Sequence, residues 1–300
     1  MLYIGIDAGG SKSRLVARSA GREDLVLEGP AANVQTAGID GAARVFTGLI
    51  NEALQLRPGI PLVSVCAGAA GAGRADDRTA LEAAWREHLG SAAPPHLRVV
   101  HDAVIAIEAA FEGGSGIIII VGTGSIAFAK AMDGAFHRVG GWGYLLGDEG
   151  SGFAIGLDGL RAVAAAIDGG PATRIQPLVA ERLGIQTADA LIHNVYRKHL
   201  HIPDVAPLVI EAAEEGDAAA RYIIEDQLRR LAQQVRWLVD RCRDIEPQIA
   251  LMGGLTRNAP IRDALERNLR TLLPGWVIMD PKHDPVEGAV RLAMQANCRP

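Results

Sequence analysis

Apolar runs, the second of them wholly β-branched, end in glycine-rich loops at three places along this chain. Leu2, Tyr3, Ile4, Gly5 and Ile6 lead into Asp7, Ala8, Gly9, Gly10, Ser11, Lys12 and Ser13. Ile117, Ile118, Ile119, Ile120 and Val121 lead into Gly122, Thr123, Gly124 and Ser125. Residues 248–252 lead into Gly253 and Gly254. Such runs predict buried strands with turns at their carboxyl ends. Around them the first 115 residues alternate strand and helix patterns. Strands are predicted over 4–7, 13–19 and 25–28, then a helix over 38–54 with Val45, Leu49 and Ala53 at helical spacing. A strand over 61–66 ends in a glycine-rich loop over 67–71, followed by a helix over 76–89. A short strand over 97–100 ends at His101 and Asp102, ahead of a helix over 103–111. The second half opens with paired strands over 117–121 and 126–131, after which helices dominate. Asp217 caps a long helix whose stripe is Ile224, Leu228, Leu231, Val235, Leu238 and Cys242. A strand over 248–252, a helix over 257–272, a strand over 277–279 and a closing helix over 286–295 complete the chain. The pattern predicts an α/β protein of two domains, 1–115 and 116–285, with a cleft between them and the closing segment 286–300 packing back on the first.

Composition agrees with that division. Three hundred residues, 49% hydrophobic and 22% charged, suffice for two globular cores. The net charge of −5, without a run of Lys or Arg, argues against a nucleic-acid partner. The apolar runs are too short to cross a bilayer, and no charged leader precedes the first strand, so a cytoplasmic protein without a membrane partner is expected. Cys66, Cys242 and Cys298 are scattered, which fits reduced thiols rather than disulfides or a zinc site.

The glycine loops suit phosphate, because glycine lets backbone N–H groups approach an anion closely. Two such loops, one opening each half, suggest one phosphate chain held from both sides. Asp7 ends its strand where a carboxylate can hold Mg²⁺, while Lys12 and the loop amides face phosphate oxygens. The alternative is a plain hairpin turn with ordinary polar residues. Neither a Walker loop nor a dinucleotide fingerprint is present, since a second strand, not a helix, follows Gly9 and Gly10. Gly253 and Gly254 either leave bare backbone for a flat adenosine or make a tight strand-to-helix turn. Asp102 either caps the next helix or acts as a general base toward a substrate hydroxyl. The densest signal is residues 140–152, where six glycines surround Trp142, Tyr144, Asp148 and Glu149. Carboxylates beside an aromatic ring suit a sugar; the two acids could equally cap a helix near Ser151.

Together these motifs resemble the N-acetylglucosamine kinase and glucosamine kinase group, within the BadF/BadG/BcrA/BcrD-type ATPases and the actin-like (ribonuclease H-like) ATPase fold. Residues 7–13 look like the first phosphate motif, with Asp7, Gly9, Gly10, Ser11, Lys12 and Ser13. Gly122, Thr123, Gly124 and Ser125 look like the second, and Gly253 and Gly254 like the adenosine motif. Residues 140–151 match the sugar motif GGWG-x-x-LGDEGS almost letter for letter. The resemblance implies ATP and Mg²⁺ as cofactors and a homodimer. It makes Asp102 the catalytic base. It assigns sugar contacts to Asn33, Gly71, Gly141, Trp142, Asp148 and Glu149, with the 6-hydroxyl near Asp102. Position 101 is His where many relatives have Asn, and the 68–71 segment lacks a hydroxyl that some relatives aim at the sugar. Both departures leave N-acetylglucosamine and glucosamine open. A rival within the fold is an ATPase activator of acyl-CoA dehydratases or reductases, which shares an iron–sulfur cluster across a dimer. The three cysteines show no pairing for it. A non-catalytic sugar-sensing repressor would carry an added DNA-binding helix pair, for which the sequence ahead of residue 2 leaves no room.

Overall fold

The computed structural model describes residues 1–242 and 244–296; Cys298 lies outside them. The chain forms two compact units, one of residues 1–115 together with the segment from Pro281, the other Gly116–Asp280.

The first unit opens with β1 (Leu2–Ala8), β2 (Lys12–Ser19) and β3 (Leu25–Pro30). Then come α1 (Val34–Leu56), β4 (Leu62–Ala69), α2 (Ala75–Leu89), β5 (His96–His101) and α3 (Asp102–Ala110). Its sheet order is β3-β2-β1-β4-β5. β1, β2 and β3 pair antiparallel as a meander, while β4 and β5 join parallel. The β1–β2 register sets Asp7 directly opposite Arg14. Most bounds shift by one or two residues, and two differences bear on the site. Gly68 and Ala69 belong to β4, so the glycine-rich loop shrinks to a turn at Ala70 and Gly71. Helix α1 starts early, at Val34, and breaks at Gly38, where φ is 72°.

The second unit repeats the plan. It begins with β6 (Gly116–Val121), β7 (Ser125–Lys130) and β8 (Phe136–Gly140). Next are α4 (Gly152–Ile167), α5 (Ile175–Leu183), α6 (Ala188–Tyr196), α7 (Ala206–Glu214) and α8 (Ala218–Arg241). β9 (Gln248–Met252), α9 (Ala259–Leu272) and β10 (Val277–Met279) close it. The sheet order is β10-β9-β6-β7-β8, the mirror listing of the first sheet, with the same two antiparallel and two parallel pairings. β8 is absent from the sequence reading. It is an edge strand whose residues alternate exposed and half-buried up to Gly140, so it shows no apolar run.

The predicted stripe of α8 is buried in the second core: Ile224, Leu228, Leu231, Val235 and Leu238. Each such side chain contributes roughly 1.5–3 kcal/mol by leaving water. Asp217 accepts from the N–H of Ala220 and caps that helix. The closing helix α10 (Pro285–Ala296) belongs to the first unit. Val286 and Val290 pack on Val16, and Ala289 and Ala293 pack among Cys66, Val100 and Ile105. No helix among the described residues is long and apolar enough to cross a membrane.

Candidate active site

In the first unit the β1–β2 turn is closed by Gly9 N–H donating to the Lys12 carbonyl at 3.0 Å. Gly10 and Ser11 are exposed. Strand alternation then separates the two residues that follow. Lys12 points outward and pairs with Glu28 at 2.6 Å. Ser13 is fully buried, and its hydroxyl has no partner among the described residues. At the end of β1, Asp7 has its carboxyl pushed up to about 6. Burial is the main cause, the charges of Asp102 and Asp284 add to it, and Arg14 opposes it.

Asp102 is therefore close to Asp7 in charge terms, as its position at the start of α3 requires. It is 38% exposed at the side chain. The N–H of Ala103 donates to Asp102 Oδ1 at 2.8 Å, so the carboxylate also holds its own helix. Asp284 precedes α10 and binds Arg14 Nη1 at 2.8 Å. It was not singled out in the sequence, where an Asp ahead of Pro285 reads as a helix start. Asn33 caps α1 by accepting from Gln35 N–H at 2.8 Å. Its carboxamide lies against Gly71, whose φ of 82° and lack of a Cβ are both required: a Cβ would stand 2.5 Å from Asn33 Oδ1. A Cβ on Gly10 would be 4.0 Å from Asn33 Nδ2. The first glycine loop, Asn33 and the Gly71 turn thus form one surface.

In the second unit the 122–125 loop is tied to the start of α4. Gly152 and Phe153 N–H groups donate to the carbonyls of Gly122 at 2.8 Å and Thr123 at 3.1 Å. Thr123 is exposed, but Ser125 is buried and donates its hydroxyl to the Glu149 carbonyl at 2.7 Å. Asp148 adopts φ of 66° beside Gly124. Its carboxyl is raised, chiefly by burial and further by Glu149, against the N–H groups of Ser125 and Gly143 that favour the charged form. Glu149 accepts from Gln234 Nε2, while Gln227 of the same helix accepts from Gly150 N–H at 3.0 Å and donates to Asp158. These two glutamines, one heptad apart beside the apolar stripe of α8, brace the motif and went unnoticed in the sequence. Ser151, not either acid, caps α4 by accepting from Ala154 N–H at 3.1 Å. Gly141 N–H donates to the Ser125 carbonyl at 3.1 Å. Trp142 is 64% exposed, with the Arg138 guanidinium 5.1 Å from its ring. Gly253, at φ 97°, abuts the Val121 carbonyl so closely that a Cβ would overlap it; Gly254 is open on its Cβ side. The second glycine loop, the 140–151 segment and the Gly253 turn therefore meet at one end of the second sheet.

Among the described residues no three His, Cys, Asp or Glu side chains group as a ready metal cage. The acidic surroundings that raise Asp7 suit a hard cation held by one or two carboxylates, with water and phosphate oxygens as the remaining ligands, which is how Mg²⁺ is usually bound.

The sequence profile of the BadF/BadG/BcrA/BcrD ATPase family matches residues 4–293. An N-acetylmuramic acid/N-acetylglucosamine kinase of Clostridium acetobutylicum is 32% identical over 97% of each chain. An N-acetyl-D-glucosamine kinase of Dictyostelium discoideum is 28% identical over 98% of each. A solved structure assigned as an N-acetylglucosamine kinase of Chromobacterium violaceum superposes with a TM-score of 0.74, at 26% identity, over 97% of this chain and 98% of that one.

Proposed function

The chain belongs to the BadF/BadG/BcrA/BcrD ATPase family, and on that premise we propose that it is an ATP-dependent kinase of a small amino sugar. Its acceptor would be the 6-hydroxyl of N-acetylglucosamine or glucosamine. The observation that carries this reading is Asp102, a partly exposed carboxylate beside the half-buried Asp7 at the foot of the first glycine loop. Asp102 takes the proton of the sugar hydroxyl as the new O–P bond forms and the bond to the leaving ADP breaks. Such a base contributes ~10²–10⁴-fold. The remaining work is positioning and charge neutralisation. Gly10, Ser11 and Lys12 offer donors to phosphate from the first unit, and Thr123 and Gly124 do so from the second; the amides of Gly9 and Gly122 close their turns on the carbonyls of Lys12 and Gly124. Lys12 reaches phosphate by leaving Glu28. Asp7 would hold Mg²⁺, which when bound draws charge from the polyphosphate. Gly253 and Gly254 would receive the adenosine. Asn33, Gly71, Gly141, Trp142, Asp148 and Glu149 would hold the sugar. The two acids accept its hydroxyls on lone pairs left over from their backbone and glutamine partners.

The activator-ATPase alternative draws no support from the cysteines within the described residues. Cys66 is buried in the sheet, and burial pushes its thiol up to about 12, the opposite of a thiolate cluster ligand.

The test is ADP release with N-acetylglucosamine, glucosamine, N-acetylmannosamine, N-acetylmuramic acid and glucose side by side. An amino sugar is expected to stimulate release well above the sugar-free rate, with product carrying phosphate at O6. No stimulation by any of them would overturn the kinase reading.

A further inference from the structure

His101 and Asp102 meet in a way that helix capping does not explain. His101 Nδ1 lies 2.7 Å from Asp102 Oδ1. The N–H of Ala103 points to both, at 2.8 Å from Asp102 Oδ1 and 3.1 Å from His101 Nδ1. As a helix cap, the imidazole would accept from Ala103 through a bare Nδ1. That would place a nitrogen lone pair and a carboxylate oxygen face to face at hydrogen-bond distance with no proton between them. The 2.7 Å contact is instead the length of a charge-assisted N–H···O bond. The proton therefore sits on Nδ1, and the amide of Ala103 serves Asp102 alone. The far edge of the ring faces Gly73, where a Cβ would stand 3.7 Å from Cδ2 and 3.9 Å from Nε2.

We propose that His101 is a positioning residue for Asp102: by donating Nδ1–H to Oδ1, alongside the Ala103 amide, it fixes the carboxylate and leaves Oδ2 to take the sugar proton. Two donors on one oxygen lock the rotation of a side chain that is 38% exposed and would otherwise swing. Fixing the attacking geometry is worth most in the transition state, where a misplacement of about 1 Å can reduce the rate ~10²-fold. The role rests on the kinase reading, but the hydrogen bond itself does not.

Two measurements on the full chain test it. Nitrogen-15 NMR of labelled histidine, with the His101 signal assigned by its loss in His101→Ala, is expected to show a protonated Nδ1 at pH 8. A bare Nδ1 would overturn the proposal. In steady-state kinetics His101→Ala should lower kcat ~10–100-fold while both KM values stay within about twofold. His101→Asn, whose Nδ2 can donate to the same oxygen, should recover kcat to within about threefold of wild type. A merely capping histidine would lower the unfolding temperature of His101→Ala and leave kcat per folded molecule intact, and that result, or an Asn variant as slow as the Ala variant, would also overturn it. If the wild-type chain itself forms no sugar-dependent ADP, the kinase reading fails, and the nitrogen measurement alone decides whether His101 holds Asp102.

Discussion

The β1–β2 and β6–β7 turns occupy the same place in two sheets of the same strand order, yet they are held by opposite means. The first is held against its own electrostatics. A half-buried Asp7 faces the charges of Asp102 and Asp284, offset in part by Arg14 across the strand pair, and Lys12 is drawn off to Glu28. The second turn is closed by hydrogen bonds: the Ser125 hydroxyl is bound to the Glu149 carbonyl, the carbonyls of Gly122 and Thr123 to the amides of Gly152 and Phe153, and the Asp148 carboxylate beside Gly124 accepts from the Ser125 amide. One topology thus supports an acidic turn, whose carboxylate is raised by burial and by its acidic neighbours, and a turn whose groups are bound into the loop behind it. Carboxylates shifted by burial and like charges cluster at functional sites, whereas satisfied hydrogen bonding is a mark of scaffold.

The sharpest way to break this contrast is Asp102→Asn. The amide oxygen can still accept from Ala103, so α3 keeps its first turn, but the base is gone. Sugar phosphorylation should fall ~10²–10⁴-fold, while nucleotide binding by calorimetry stays within about threefold. Loss of both together would make Asp102 a structural residue and remove the chemical reason for the charged turn.

Asp7→Asn probes the cost of that carboxylate. A carboxyl raised from 3.8 to about 6 in the folded chain carries a penalty when ionised, on the order of 3 kcal/mol at most. Well below the ordinary value of 3.8 the group is protonated in both folded and unfolded chains, so the penalty is absent. It grows as pH rises from about 4 to about 6 and is complete by pH 7–8. The ligand-free Asp7→Asn protein should therefore be more stable than wild type at pH 8, by ~1–3 kcal/mol, with the gain vanishing toward pH 4. Urea unfolding across that range measures it. Activity should drop at every pH. A variant less stable than wild type at pH 8 would mean that Asp7 is a structural carboxylate, as satisfied as anything in the second turn.

Much of the fold was open to reading from the chain. β9 and β10 are found at their predicted residues because short apolar runs between turn signals leave little choice. The stripe of α8 was equally plain, since six apolar residues at helical spacing cannot all face water. What escaped depends on partners distant in sequence. β8 is an edge strand with polar residues on its open side, so its existence is decided by β7. Asp284 comes near Asp7 only because α10 returns to β1 after the whole second unit, and Gln227 and Gln234 matter only through the loop they brace. The candidate site was legible as motifs, but a run of letters does not show which way each side chain points. Residues 11–13 read as three phosphate donors in a row, whereas the alternation of β2 exposes Lys12 and buries Ser13.

The finest test concerns the hydroxyl of the second turn. Ser125 is 4% exposed and bonded to the Glu149 carbonyl, so Ser125→Ala leaves a part-buried carbonyl without its donor. Losing such a partner costs roughly 1–2 kcal/mol, and because neither group titrates, the loss should be the same at pH 5 and pH 8. That flat profile is the counterpart of the pH-dependent gain expected from Asp7→Asn. Since Glu149 and Gly150 follow the hydroxyl, the KM for the sugar should rise a few-fold while that for ATP holds. The opposite pattern, unchanged stability with a tenfold rise in the KM for ATP, would mean that the hydroxyl turns from Glu149 to phosphate when nucleotide binds, and the second turn would then be as much a moving part as the first.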